Sequence, residues 1–151
     1  MSTVKLKTKL RKQGAGVYAL ATDFDGGRVY VGESIDLYTR FKDHSSQLSR
    51  GAHHNSELQH LYDLGANFTF TVLREQWYDY NKPKTHIKPQ LLFWESFYII
   101  KYKDVAINKD NLYSRAKNME SIVHGQLQYH LNPTKLALVK KYLSQQVPSS
   151  N

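Results

Sequence analysis

The chain contains no cysteine. That excludes a disulfide scaffold, a thiol nucleophile and a cysteine-based zinc site. No apolar run approaches the roughly 20 residues that a membrane span needs. The longest, Leu91 to Ile100, is interrupted by Glu95. The opening segment, MSTVKLKTKLRKQG, has positive charge but no apolar stretch behind it. No secretory signal is therefore expected, and the setting expected is cytoplasmic. Acidic residues are few, 13 Asp and Glu against 21 Lys and Arg, giving a formal net charge of +8. That balance favours a polyanionic partner, nucleic acid ahead of an anionic membrane. There is no internal repeat and no low-complexity tract.

At 151 residues, 40% of them hydrophobic, the chain is long enough for one domain with a real core. Gly16 to Gly32, GVYALATDFDGGRVYVG, organises the rest. Val17 to Ala21 and Val29 to Val31 are apolar and rich in strand-favouring types. Asp23 to Gly27 between them tolerates positive φ, so the stretch predicts an antiparallel hairpin. It places Tyr18 and Tyr30 on neighbouring strands, each near a glycine that leaves room for close approach. With eleven tyrosines in the chain, a simple cross-strand packing pair is an equal reading on these residues alone.

Ser34 reads as a helix N-cap with Asp36 in the first turn, and the helix runs from about Ile35 to Leu48. Leu37, Phe41 and Leu48 form its core stripe. Arg40 and His44, four apart, point together beside that stripe, either as a functional ridge or as an ordinary amphipathic edge. His53-His54 lies in a loop with no cysteine or HxxxH partner, which argues against a zinc site. Asn55 caps a second helix through Leu58, Leu61 and Tyr62, closed by Gly65. Phe68 to Leu73 alternates as a third strand. Residues 76–90 form a long loop in which aromatics alternate with Lys82, Lys84 and Lys88. That composition suits base stacking and phosphate pairing, or simply a cover for the core edge.

Pro89 fits the first turn of a helix that continues through Leu91 to Ile100 and is apolar nearly all round. Glu95 is its only charge. A buried carboxylate there must be neutral, salt-bridged or metal-bound. Residues 101–118 read as irregular. Met119, Val123, Leu127 and Leu131 then recur at helical spacing, and a last helix carries Leu136, Val139 and Leu143.

The order GVY, YVG, Arg40, His44 and a later helical Glu95 resembles the GIY-YIG nuclease superfamily, in its homing-endonuclease-like branch. The likeness runs over about residues 14–100. It implies an α/β (α+β) fold with a small three-stranded antiparallel sheet flanked by helices. The divisions expected are a basic arm at 1–14, a nuclease domain at 15–118 and a helical C-terminal extension at 119–151. The resemblance also implies phosphodiester hydrolysis on one divalent cation, Mg²⁺ or Mn²⁺. It assigns Tyr18, Tyr30, Arg40, His44 and Glu95 to catalysis, with Glu95 as metal ligand and Tyr18 as general base, its phenol made more acidic by nearby cations. His53, Lys42, Lys82, Lys84 and Lys88 are the expected DNA contacts. The partner expected is double-stranded DNA, with no membrane, for a monomer or homodimer. A homing-type or phage-encoded nicking enzyme leads. A compact dimeric restriction enzyme and a non-catalytic DNA-binding module are the alternatives. Two positions depart from the family pattern: Glu33 follows YVG where some members carry a basic residue, and Ser114 or Asn118 stands in for the module-ending asparagine.

Overall fold

A computed structural model describes residues 3–6, 14–84, 87–102 and 104–107. Four strands form one sheet: β1 (Val4–Leu6), β2 (Ala15–Thr22), β3 (Val29–Ser34) and β4 (Phe68–Gln76), in the order β1-β4-β2-β3. Three helices pack around it: α1 (Leu37–Ser49), α2 (Ser56–Asp63) and α3 (Lys88–Lys101). The sheet thus has one strand more than the three expected. β1 adds in parallel to the β4 edge, Val4 beside Phe68 and Leu6 beside Phe70. Val4 and Leu6 pack against the core while Lys5 between them stays exposed. Just before β1, the Thr3 amide and hydroxyl both donate to the Asn67 side chain at 3.0 Å.

The hairpin is antiparallel, with Tyr18 opposite Gly32 and Leu20 opposite Tyr30. Its connection is a 3-10 turn at Phe24–Gly26, closed by Gly26 and the following Gly27 with φ of 78° and 89°. Only glycine adopts two such angles in succession without strain.

β2 lies between two antiparallel neighbours and buries both of its faces. Tyr18, Leu20, Tyr30, Phe68 and Phe70 share one core with Leu37 and Leu48 of α1 and Leu58 and Leu61 of α2. The alternate residues face α3. On that side Ala15 packs with Leu91 and Ile87, Arg74 lies over the Trp94 ring, and Glu33 meets Lys88.

The α1 cap differs from expectation. Asp36, not Ser34, is the N-cap, its carboxylate accepting from the Thr39 amide at 3.1 Å and hydroxyl at 2.9 Å. Ser34 instead closes a turn with Asp36: its Oγ accepts from the Asp36 amide and donates to the Asp36 carbonyl. The α2 cap follows the sequence: the Asn55 side chain accepts from the Leu58 amide, and Gly65 follows the helix with φ of 102°.

β4 runs three residues past Leu73. After α3, Val29 exchanges backbone bonds with Val105 and Ile107, which lengthens the β3 edge. No helix among the described residues is long and apolar enough to cross a membrane. The helices expected in 119–151, and Ser114 and Asn118, lie outside the described residues.

Candidate active site

Tyr18 is fully buried, its phenol lying across Gly32 on the neighbouring strand. A Cβ at position 32 would clash with the hydroxyl end of that ring, so glycine there is what lets the phenol pass. The ring stacks on Phe70 at 4.5 Å, and its oxygen reaches α1. There it sits 2.5 Å from His44 Nε2 and accepts from Arg40 Nε at 3.4 Å. The i, i+4 spacing of Arg40 and His44 brings both to the same oxygen.

Behind His44 the chain of contacts continues. His44 Nδ1 lies 2.7 Å from His53 Nε2, and His53 Nδ1 accepts from the Asn55 amide at 3.0 Å. The two rings are near-parallel, with centroids 5.0 Å apart. Tyr30 closes the other side, edge-on to His44 and His53, its hydroxyl 3.4 Å from His54 Nε2. Tyr18, Tyr30, Arg40, His44 and His53 therefore meet at one place.

The family model of the GIY-YIG catalytic domain matches residues 14–111, which is most of the chain and all of this cluster. The chain belongs to the GIY-YIG nuclease family. Among solved structures, the chain is similar to a variant of the catalytic domain of intron endonuclease I-TevI, at 26% identity and a TM-score of 0.47, over 61% of this chain and 84% of that one. No curated protein matches.

The GIY-YIG hairpin sets unusual electrostatics. Burial holds the Tyr18 phenol well above its ordinary value; Tyr30 adds to that, and the Arg40 hydrogen bond and charge oppose it. Nearby cations were expected to make this phenol more acidic; desolvation of the phenolate outweighs them. Burial would lower Arg40, but the Tyr18 bond and the two phenols outweigh it and leave Arg40 raised. His44 is held down to about 3 and His53 to about 4, each by burial first and by neighbouring positive charge second. Both imidazoles are neutral at pH 7.

Glu95 is half-buried on α3 and near enough for its charge to raise the Tyr18 phenol further. Among the described residues, no three His, Cys, Asp or Glu side chains gather to hold a metal ion.

The basic residues divide into three places. Arg40, Lys84 and Lys88 line a hollow of about 440 Å³ with Glu33, Ser34 and Ile35. Lys82 lines a second hollow of about 330 Å³ with Gln76, Trp77, Tyr78, Asp79, Ile87 and Gln90, where Trp77 is 83% exposed. Lys42 stands on the outer face of α1, 5.0 Å from the Tyr38 ring centre. His53, grouped with the lysines as a DNA contact, lies apart from them, buried against His44.

Sequence reasoning noted His54 and Glu33 but gave neither a contact at the site. His54 reaches Tyr30, a role its exposed loop position does not announce. Glu33 ion-pairs with Lys88, and its departure from a basic residue was the signal available.

Proposed function

We propose that this chain is a divalent-metal-dependent DNA endonuclease of the homing-type or phage-encoded nicking kind. The observation that carries the reading is Arg40. Its Nε–H binds the Tyr18 oxygen while the side chain lines the hollow shared with Lys84 and Lys88. A phosphate seated in that hollow meets a planar guanidinium fork and two ammonium groups. The net charge of +8 draws the polyanion toward it.

In this reading Tyr18 first gives up its phenol proton to solvent water; as phenolate it then takes a proton from the water whose oxygen bonds to phosphorus while the bond to the leaving 3′ oxygen breaks. The donors on its oxygen stabilise the negative charge that burial penalises. Tyr30 orients that water. Arg40 neutralises charge on a non-bridging oxygen of the pentavalent transition state. Glu95 offers one hard carboxylate oxygen set, which fits Mg²⁺ or Mn²⁺ with water and phosphate completing the shell. When bound, the ion supplies charge stabilisation at the leaving 3′ oxygen. Lys42, Lys82, Lys84 and Lys88 hold the backbone on either side, and Trp77 offers a face on which a base can stack.

Plasmid nicking tests this, with and without Mg²⁺, for wild type and Glu95→Ala. Nicking that needs the ion and falls at least a hundredfold in the variant is expected. Nicking that survives the substitution rejects the metal assignment. Absence of cleavage on every DNA form, with binding retained, leaves a DNA-binding module that kept the fold.

A further inference from the structure

The contacts behind Tyr18 have a direction. A backbone amide only donates, so the Asn55 N–H makes His53 Nδ1 an acceptor. A neutral imidazole whose Nδ1 accepts carries its hydrogen on Nε2. His53 Nε2–H then faces His44 Nδ1 at 2.7 Å, so His44 Nδ1 must accept in turn. That puts the His44 hydrogen on Nε2, 2.5 Å from the Tyr18 oxygen. The reverse assignment would press two N–H groups together across 2.7 Å. An imidazolium at His53 would lose the Asn55 bond altogether.

We propose that His53 is a positioning residue that locks His44 as a hydrogen-bond donor to the Tyr18 oxygen, with the α2 N-cap amide of Asn55 setting the tautomer of both rings. The inference rests on Tyr18 being the proton acceptor of the proposed hydrolysis. It deepens that reading by giving His44 one role and denying it another. His44 supports negative charge on the phenol oxygen; it does not take the phenol's proton.

The anchor is built rather than incidental. The His53 amide donates to Gln59 Oε1 at 3.1 Å, and the Gln59 amide group donates to the Leu48 carbonyl and to Asp63. Gln59 thus ties the 52–54 loop to the end of α1 and to α2. The His53 ring lies near-parallel to both His44 and His54, with ring centres 5.0 and 4.5 Å away. Little freedom remains for it to turn over.

Two measurements decide the matter. In protein labelled with ¹⁵N-histidine, long-range ¹H–¹⁵N correlation reads which ring nitrogen of each imidazole is protonated. Wild type should show His44 and His53 both as neutral Nε2–H tautomers. His44 as the Nδ1–H form, or His53 as an imidazolium at pH 7, overturns the proposal. This needs neither DNA nor activity, so it stands or falls apart from the nuclease reading.

The second compares His44→Gln with His44→Ala. Gln keeps an N–H donor and has no basic nitrogen. His44→Gln should cleave DNA at least tenfold faster than His44→Ala, at equal KM. Equal kcat values in the two variants would mean that donation is not what His44 provides. His53→Ala should lower kcat ten- to a hundredfold with KM unchanged, as loss of an outer-shell partner does, and should give His44 a mixed tautomer signal. A His44 that stays wholly Nε2–H in that variant removes the role assigned to His53.

Discussion

The two faces of the sheet handle buried charge and polarity in opposite ways. Toward α1 and α2, Tyr18, His44 and His53 form a continuous chain in which both nitrogens of each imidazole have a partner. Toward α3, Glu33 Oε2 and Arg74 Nε are buried without a hydrogen-bond partner among the described residues. Arg74 rests instead on the Trp94 ring, 4.0 Å from its centre, and Glu33 spends its other oxygen on Lys88. A fully satisfied buried network fixes geometry, because every rearrangement breaks a bond. A half-satisfied one has less to lose. The first face is suited to holding the Tyr18 oxygen in place. The second, which borders the basic hollow, is suited to exchanging partners when an anion arrives. Arg40 belongs to both, bonded to Tyr18 and lining that hollow.

The largest effect comes from removing the oxygen at the end of the satisfied chain. Tyr18→Phe should lower the single-turnover cleavage rate by roughly a thousandfold, within the span observed for a lost proton-transfer group. It also leaves the His44 and Arg40 donors without their acceptor, at a cost of about 1–3 kcal/mol in stability. Cleavage within tenfold of wild type would take the phenol out of the chemistry and leave it a core residue.

Next in size is acid sensitivity, also confined to the satisfied face. The folded values of about 3 for His44 and about 4 for His53 lie below the ordinary 6.5, so the unfolded chain binds protons that the folded chain refuses. Stability is complete above about pH 6.5 and is lost as pH falls toward those folded values. Arg40 and His54 face the pair and deepen the penalty for charging it. Between pH 7 and pH 5 the two rings together should remove about 4 kcal/mol from the unfolding free energy. Urea titrations at both pH values read the loss. It should shrink to a minor part in the doubly substituted His44→Gln, His53→Gln chain. An equal loss in that chain would place the acid sensitivity elsewhere.

Much of the satisfied face was legible in the sequence. The glycine-flanked hairpin, the i, i+4 pair and the Asn55 cap are local patterns, and each local preference agrees with the fold. β1 was only half legible: the partial alternation of Val4, Leu6 and Leu10 allows an edge strand. It is three residues long, carries a lysine, and pairs with a strand more than sixty positions away, so its sequence reads equally as a solvated arm. The α1 cap slipped by two residues because Ser34 and Asp36 are both cap formers, and only the turn between them decides which is used. His53-His54 read as loop histidines, with His53 an expected DNA contact. What buries His53 is the packing of Tyr30, His44 and His54 around its ring, contacts that include residues of two separate elements and that no local pattern encodes. The reversed expectation for Tyr18 has the same origin. Charge can be counted along a chain, whereas desolvation depends on Phe70, Gly32 and His44 closing around the phenol.

The smallest effect belongs to the α3 face. Glu33→Gln should change stability by less than about 1 kcal/mol, because one carboxylate oxygen has no partner among the described residues and the other meets a lysine that is half exposed. Binding should respond more than folding does. The hollow holds Arg40, Lys84 and Lys88 against the single charge of Glu33, and the substitution frees Lys88 for phosphate. Duplex DNA should bind roughly three- to tenfold tighter at low salt, and the plot of log K against log salt should steepen by about one phosphate contact. Weaker binding would mean that the Glu33 pairing positions Lys88 for its phosphate. A stability loss of about 3 kcal/mol or more would show Glu33 to be as firmly built in as the imidazoles across the sheet, and the contrast between the two faces would fail.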